Sequence, residues 1–368
     1  MSSLVEEALV AGGQRSAARL SGSQLHAAWE GVVASAGGRL RAREAAANLG
    51  VSEGELVASL VGRRATRLRT SGADIIRDLP ALGTVMALTR NEHCVHEKTG
   101  PYLDVSIQGA HGLVLGELID LRLFPSHWHH GFAVVDDTDQ GPRRSLQFFD
   151  ADGTAVHKIY QKPGTDVAAF DRLIAAWRAE EQSPVLDVRA VKPVPADRAD
   201  ADIDVARLRR EWAAMKDTHE FFGMLRRLKA GRQQALRLAG PEFAWRVGED
   251  SLATVLEVMR DNGTPIMVFV GNPGCIQIHS GPVANLKRLG PWFNVLDPTF
   301  NLHLREDAIA AAWVVRKPTS DGDVTSLELF DAQGLCFAQL FGARKPGRPE
   351  LAAWRAVLRS IPALAAVS

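Results

Sequence analysis

Ser145-Leu-Gln-Phe-Phe-Asp-Ala-Asp-Gly153 is the stretch that decides the fold, because a near copy, Ser326-Leu-Glu-Leu-Phe-Asp-Ala-Gln-Gly334, follows about 180 residues later. Self-similarity at a fixed spacing is typical of a duplicated architecture. Two halves of roughly 150 residues each would match ordinary domain sizes. The repeat therefore predicts one fold built twice within the 368 residues.

Three further pairs of segments match at nearly the same spacing. They are residues 95–100 with 276–281, 121–124 with 302–305, and 132–135 with 313–316. We therefore expect a pseudo-symmetric pair of sheets. Because the two copies would share one scaffold, function should lie where they differ.

Composition excludes several classes of protein. Lys plus Arg and Asp plus Glu are both 43, so the formal net charge is zero, which argues against nucleic-acid binding and polybasic membrane binding. No apolar run is long enough to span a membrane, and the N-terminus lacks the pattern of a signal peptide. The three cysteines, Cys94, Cys275 and Cys336, form no CxxC pair, so we expect a reducing compartment, the cytoplasm. Cys94 and Cys275 match between the copies and are expected to be small buried residues.

Periodicity predicts the elements of each copy. Alternation of apolar and polar residues indicates strands at 84–88, 117–124 and 131–135, and residues 150–153 should join two more strands as a hairpin. Helical spacing indicates helices at 40–62 with a turn at 50–52, and at 166–181, 203–239, 250–262 and 349–360. The second copy should have its strands between 266 and 341. Helices that flank large antiparallel sheets predict an α+β fold.

These patterns divide the chain into four parts. Residues 1–22 should be loosely ordered, and residues 23–182 should form the first repeat. Residues 183–202 contain three prolines, Pro184, Pro193 and Pro195, and are typical of a linker. Residues 203–368 should form the second repeat.

A histidine in the second copy is the main candidate for a ligand. Asp217-Thr-His-Glu220 precedes an apolar helical pattern, so Asp217 can act as N-cap with Glu220 reaching back to it. His219 would then lie in the first helical turn, and a neutral imidazole with a free nitrogen binds metals. The alternative is a surface histidine beside a helix cap.

Two other histidine clusters suggest zinc only weakly. His127-Trp-His-His130 should lie in a loop, and His93 and His96 are three residues apart in a predicted strand, so they should face opposite sides. No tetrahedral ligand set is evident. Neither a GxGxxG motif, a P-loop nor a nucleophile elbow is present.

Several segments resemble the cytoplasmic haem-utilisation proteins of the HemS/ChuS/HmuS type, also called hemin-degrading factors. The likeness runs from about residue 40 to 360. It is carried by residues 90–97, 120–124, 145–149, 217–222, 267–272, 312–319 and 325–330.

The resemblance implies a haem site with named residues. His219 corresponds to the proximal haem ligand, and Arg122 to an arginine on the distal side, although a structural ion pair is the alternative for Arg122. Gln339 could orient a distal water, so Arg122 and Gln339 are the candidate catalytic residues. The other implied contacts are Phe269 on the porphyrin ring, Lys317 and Arg344 at its polar edge, and Phe341.

One residue departs from the family pattern. The family often has tyrosine where this chain has Phe341, which removes a hydrogen bond worth about 1 kcal/mol. His279 also stands where an apolar or aromatic residue is expected, and it is either an alternative contact or a core histidine.

The resemblance implies two functions that the sequence does not separate. In the first, the chain binds b-type haem as its substrate and degrades it oxidatively, opening the ring and releasing iron, with dioxygen and an external reductant. In the second, it carries imported haem from an inner-membrane importer to a separate haem oxygenase. If the chain is an enzyme, a reductase would be a further partner. We expect neither nucleic-acid binding nor stable insertion into a membrane. The chain would be a monomer or a homodimer. A module that binds some other planar ligand is a third possibility.

Overall fold

The computed structural model describes residues 20–38, 40–69, 73–139, 141–190, 196–344 and 347–364. The predicted loosely ordered N-terminus therefore lies outside the described residues up to position 19. The helices are α1 (Gly22–Ser35), α2 (Ala42–Leu49), α3 (Glu53–Ala58), α4 (Val167–Trp177), α5 (Val205–Ala213), α6 (Glu220–Leu228), α7 (Arg232–Ala239), α8 (Ser251–Asn262) and α9 (Ala352–Ser360). Short 3-10 helices cover Asp74–Leu82, Pro125–His127, Asp200–Asp202 and Glu306–Ala308.

Eighteen strands are found among the described residues. Those before α4 are β1 (Ala65–Leu68), β2 (Gly83–Arg90), β3 (Cys94–Gly100), β4 (Val105–Gln108), β5 (His111–Leu115), β6 (Asp120–Leu123), β7 (His130–Thr138), β8 (Gly141–Phe149) and β9 (Ala155–Thr165). Those after α7 are β10 (Ala244–Val247), β11 (Ile266–Asn272), β12 (Cys275–Gly281), β13 (Leu286–Leu289), β14 (Trp292–Leu296), β15 (Phe300–Arg305), β16 (Ala311–Lys317), β17 (Val324–Phe330) and β18 (Cys336–Gly342).

The strands form two nine-stranded sheets of the same design. One has the order β1-β7-β8-β9-β2-β3-β15-β14-β13, and the other has the order β10-β16-β17-β18-β11-β12-β6-β5-β4. Each strand of one sheet has its repeat partner at the same position in the other. The α+β fold and the duplication are thus confirmed. Each sheet also contains three strands from the opposite repeat, which the sequence did not predict.

Two compact units follow from this exchange of strands. Unit 1 comprises Met1–Ala87, Pro101–Leu113 and Leu123–Lys192, and unit 2 comprises Leu88–Gly100, Val114–Arg122 and Pro193–Ser368. The units therefore differ from the two sequence repeats, because parts of the first repeat belong to unit 2.

Each unit has its own apolar core. In unit 1, Phe132 and Phe149 pack at 6.0 Å beneath α3. In unit 2, the larger cluster joins α8 and α9 to the sheet, with Trp354 and Met259 fully buried. Cys94 and Cys275 are buried thiols that form no disulfide with each other, as expected from their matching positions.

Local signals set the element boundaries. The hairpin at 150–153 is confirmed, and Gly153 (φ 79°) and its counterpart Gly334 (φ 78°) adopt the left-handed backbone that such turns require. Ser52 caps α3, so the predicted turn at 50–52 separates two helices. The helical region predicted at 203–239 contains three helices, α5, α6 and α7. It is interrupted by the turn before α6 and by Lys229, which ends α6 at φ 52°.

Candidate functional site

His219 immediately precedes α6, and its side chain is 91% exposed. The Asp217 carboxylate accepts hydrogen bonds from the His219 backbone N–H at 2.8 Å and from its Nδ1 at 2.6 Å. These bonds, the backbone one first, hold the pKa of Asp217 below its ordinary value, so the carboxylate is ionised at neutral pH. Because an ionised carboxylate only accepts, Nδ1 is the donor in this contact, and Nε2 is the ring nitrogen that faces away from Asp217.

The predicted capping box is wrong. His219, not Asp217, is the N-cap of α6, and it makes no side-chain capping bond. The Glu220 carboxylate accepts from the backbone N–H of Lys216 at 3.3 Å instead. The helix begins later than predicted because residues 217–221 form a turn, in which the Asp217 carbonyl accepts from the Glu220 N–H at 3.1 Å. The carboxylate that was expected to cap the helix therefore orients the imidazole.

The helix that follows His219 is fixed by an apolar face. Phe221 packs on Trp212 with ring centroids 4.7 Å apart, and Met224 and Leu225 are buried in the same cluster. Phe222 points the other way and is 65% exposed. The fixed helix therefore presents an imidazole and a phenyl ring at its surface.

The predicted residues of the second-copy strands share one face of one sheet. Glu328, Gln339 and Phe269 lie directly opposite one another across β17, β18 and β11, and opposite residues of antiparallel strands project to the same face. Phe341 is two residues beyond Gln339 on the same face, and its ring meets that of Phe269 edge-on at 4.9 Å. This face therefore carries an aromatic pair beside an amide.

Lys317 lies in a buried charge network on that face. Its amine donates to Glu328 at 2.8 Å, and Arg232 binds the same carboxylate with two hydrogen bonds of 2.7 Å. Burial alone would raise the pKa of Glu328, but Arg232 and Lys317 outweigh it and hold that pKa well below the ordinary range. Both cations also approach the Phe221 ring, at 4.7 Å for Lys317 and 5.2 Å for Arg232. The network therefore joins the sheet to the helix that follows His219.

This placement differs from the polar-edge position expected for Lys317, whose side chain is only 4% exposed. A lysine at the end of a strand was expected to reach outward, but the buried Glu328 draws its amine inward. Sequence reasoning missed both Arg232 and Glu328. The available signal was a glutamate in the middle of β17, a strand that is buried along its whole length.

Arg344 follows β18 and is half-buried. Its positive charge adds to the hydrogen bonds from His219 in lowering the pKa of Asp217, and it partly offsets the rise that burial causes in the pKa of Glu350. The structure therefore brings a cation close to the group that orients His219.

Arg122 lies on β6, in the same sheet as Phe269 and Gln339. Leu121 and Leu123 are fully buried, while the Arg122 side chain is 34% exposed, as the alternation of the strand predicts. Its guanidinium is ion-paired with Asp120 on the same strand. Burial raises the pKa of Asp120, and the arginine partly offsets this rise. The ion pair that was the alternative for Arg122 is thus present.

The other histidine clusters have carboxylate partners. Asp150 is 2.8 Å from His127 Nδ1 and 3.2 Å from His129 Nδ1, and Asp331 is 3.3 Å from His93 Nε2. Within the part of the chain that the structure describes, no group of three or more His, Cys, Asp or Glu side chains could hold a metal ion.

His279 is buried in the core of unit 2. Its ring stacks on Phe300 at 3.8 Å, and its Nδ1 lies 3.2 Å from the Lys98 amine. Burial, with Lys98 next, lowers the pKa of His279 to about 3. Of the two possibilities for His279, the structure favours the core histidine.

The chemistry of these groups fits haem. Haem iron receives four ligands from the porphyrin and needs only an axial ligand from the protein, which His219 Nε2 can supply. Phe269 and Phe341 offer apolar contact to a planar ring, and Arg344 offers a cation to a propionate. The residues that would hold haem are therefore present in unit 2.

Comparisons with known proteins agree with this chemistry. The family of the Haemin-degrading HemS.ChuX domain matches residues 50–177 and 229–361. This chain belongs to that family. The matched segments include parts of both repeats, in line with the duplicated fold.

Individual relatives are similar over most of the chain. The Hemin transport protein HmuS of Yersinia pestis is 42% identical over 320 residues, which are 85% of this chain and 90% of that protein. Holo-PhuS, a heme-binding protein from Pseudomonas aeruginosa, is 52% identical with a TM-score of 0.92, and the match covers 94% of this chain and 100% of that one. ChuS, described as an E. coli heme oxygenase, is 39% identical with a TM-score of 0.82, over 92% and 99% of the two chains. Among the described residues of this chain, no helix is both long and apolar enough to cross a membrane.

Proposed function

We propose that this protein binds b-type haem in unit 2, with His219 Nε2 as the axial ligand of the iron. The observation that supports this most directly is the exposed imidazole whose Nδ1–H is held by an ionised Asp217 at 2.6 Å. A carboxylate behind the ring fixes its orientation and increases the basicity of the other nitrogen. A surface histidine beside an ordinary helix cap would not need this arrangement.

The remaining contacts are proposed from the sheet that contains Phe269, Gln339 and Arg122, and from Arg344, which follows β18. Phe269 and Phe341 would pack on the porphyrin, and Arg344 would pair with a propionate. Lys317 is buried and would support the site indirectly, because its amine holds the Glu328 carboxylate in place. Gln339 and Arg122 would supply polar groups on the distal side, where Arg122 would have to share its guanidinium with Asp120.

We further propose that the bound haem is degraded with an external reductant and dioxygen. The likeness to a protein described as a heme oxygenase supports this. Haem supplies the iron and the oxidisable ring, while the protein holds the ring, orients water and limits solvent access. The cytoplasm is the location that we propose, and fractionation of cells that express the chain tests it.

Haem trafficking is the second candidate, and one observation favours it. His219 and Phe222 are both exposed on α6, so a haem bound there would be open to transfer to another protein. The likeness to a hemin transport protein agrees with this role. The partners would be an importer and a separate haem oxygenase.

Haem titration of three proteins tests the binding site. The wild type should show a histidine-ligated Soret spectrum, and His219→Ala should lose both that spectrum and most of the affinity. His111→Ala, which removes an exposed histidine of β5, is the matched control and should behave as wild type. An unchanged spectrum and affinity in His219→Ala would refute the ligand assignment.

A second experiment separates degradation from trafficking. The haem-loaded protein is mixed with ascorbate, and catalase is added to remove free peroxide. Loss of the Soret band with release of iron and a linear tetrapyrrole supports the enzyme. A stable spectrum followed by transfer to a haem oxygenase supports the carrier. If the chain degrades haem, Arg122→Ala should slow turnover and leave the fold unchanged.

A further inference from the structure

A cavity with a volume of about 580 Å³ lies in unit 1. This size is in the range of small-molecule sites. It is lined by Arg67, Leu68, Arg69, His129, His130, Gly131, Ala179, Glu181, Ser183, Val185 and Asp187. None of these residues takes part in the proposed haem site.

The backbone around this cavity is held firmly. Arg67 lies on β1, the edge strand that pairs with β7. The segment 178–187 runs along the open edge of β1, and the Gln182 side chain binds both the N–H and the carbonyl of Arg67 at 2.9 Å. The Ala179 N–H donates to the same carbonyl at 2.9 Å. These hydrogen bonds to its backbone fix the position of Arg67, and they do not involve its side chain.

The Arg67 guanidinium is half-buried and makes no hydrogen bond with any other residue that the structure describes. It lies over the Phe132 ring at 5.6 Å. Burial lowers the pKa of Arg67, and the charge of Glu181 partly offsets this effect. Arg67 lines the cavity, and its guanidinium has N–H donors that no described residue uses.

His130 offers a hydrogen-bond acceptor at the same cavity. Its imidazole binds the Ala151 carbonyl, and its Nε2 is buried without a partner among the described residues. The carbonyl contact must then come from Nδ1–H, because a carbonyl only accepts. Burial, with the charge of Arg67 next, lowers the pKa of His130, so the ring is neutral and Nε2 has its lone pair.

The second copy of the fold lacks this arrangement. Arg246 of β10 corresponds to Arg67, but its guanidinium donates to the Ala310 carbonyl at 3.1 Å. Ala310 and Ala311 stand where the first copy has His129 and His130. The arginine of the second copy thus has a carbonyl partner, although its Nε is buried without one among the described residues, whereas the arginine of the first copy has two imidazoles beside it. Packing of the shared fold does not require the difference.

Charges of both signs surround the cavity. Arg67 and His130 are half-buried, whereas the carboxylates of Glu181 and Asp187 are exposed at its rim. A ligand with only a negative charge would be repelled by these carboxylates, and a ligand with only a positive charge would be repelled by Arg67. A ligand that carries both charges would instead meet groups of opposite sign.

We propose that this cavity binds a small zwitterion, a free α-amino acid. Its carboxylate pairs with the Arg67 guanidinium, a fork that matches carboxylate geometry. Its ammonium group donates to His130 Nε2 and faces the rim carboxylates. Leu68, Ala179 and Val185 give apolar contact to its side chain. This site is independent of haem binding.

Isothermal titration calorimetry of the haem-free full chain with each of the twenty amino acids tests the proposal. At least one should bind in the millimolar range or tighter, and N-acetylation or methyl esterification of that amino acid should each weaken binding by about 10- to 100-fold. Arg67→Gln and His130→Ala should weaken binding to a similar extent. The control Arg246→Gln, at the corresponding position of the second copy, should bind as wild type does.

Thermal unfolding of each variant is measured in parallel, and Arg67→Lys replaces Arg67→Gln if the latter does not fold. Arg67→Lys keeps the charge without the fork and should also bind more weakly. Failure of all twenty amino acids to bind would overturn the proposal. It would equally be overturned if a folded Arg67 or His130 variant bound as wild type does. Binding of inorganic phosphate with no binding of amino acids would identify a simple anion site instead.

Discussion

Replacement of Asp217 by alanine tests whether the carboxylate behind His219 contributes to haem affinity. The structure gives Asp217 two short bonds to this histidine, 2.8 Å to its backbone and 2.6 Å to its Nδ1. Loss of a residue that orients a metal-ligating histidine typically lowers affinity by about 10- to 100-fold, or roughly 1.4–2.7 kcal/mol. The side chains are largely exposed, so solvent weakens the interaction and we expect a value near the lower end, about tenfold.

The assay is titration of ferric haem followed by Soret absorbance. Asp217→Asn keeps an acceptor oxygen but not the charge, so its affinity should lie between those of wild type and Asp217→Ala. The matched control is Glu220→Gln, which removes a nearby negative charge that does not contact the imidazole. If Asp217→Ala binds haem as tightly as Glu220→Gln does, the orienting role of this carboxylate is refuted.

Three further predictions concern the buried charges and the aromatic pair. Glu328→Gln should lower the free energy of unfolding by about 3–5 kcal/mol in urea titrations, because the buried Lys317 and the half-buried Arg232 lose their shared anion; a loss below about 1 kcal/mol would contradict the network. Phe341→Tyr adds a hydroxyl to the ring beside Phe269 and should make the free energy of haem binding more favourable, or that of activation lower, by about 1 kcal/mol. Haem titration and the rate of iron release measure the two effects. An affinity and a rate equal to those of the wild type would show that the hydroxyl finds no partner. Burial lowers the pKa of Lys98 from 10.5 to about 8. Between these pH values the unfolded chain binds more protons than the folded chain does, so the free energy of unfolding should rise with pH. This rise should be missing in Lys98→Met.

The two copies differ most clearly in their buried charges. In the first copy, Lys158 stands at the place of Gln339, and its amine binds Glu53 of α3 at 2.6 Å. In the second copy, the buried charge is Glu328, and its partners Arg232 and Lys317 come from α7 and β16. The buried charge on the sheet is thus a lysine of β9 in one copy and a glutamate of β17 in the other. The expectation that function lies where the copies differ is consistent with this divergence.

Sequence reasoning succeeded where the signal was local or repeated. The hairpin at 150–153 and the turn at 50–52 follow from turn chemistry within a few residues. The boundaries of α5, α6 and α7 did not follow, because helical periodicity continues through the turns that separate them. The role of Asp217 was missed for a related reason, since a capping carboxylate and an orienting carboxylate occur in the same sequence pattern.

The sequence by itself determined that one α+β architecture occurs twice and that His219 belongs to one copy only, because repeats and residue types can be read directly from the chain. Only the tertiary structure decided that each sheet takes three strands from the other repeat, that Lys317 turns inward to Glu328, and that Arg67 and His130 line one cavity. Strand exchange leaves no local signal, because a strand pairs equally well with either copy of a repeated partner. The direction of a buried charge likewise depends on partners that lie far away along the chain.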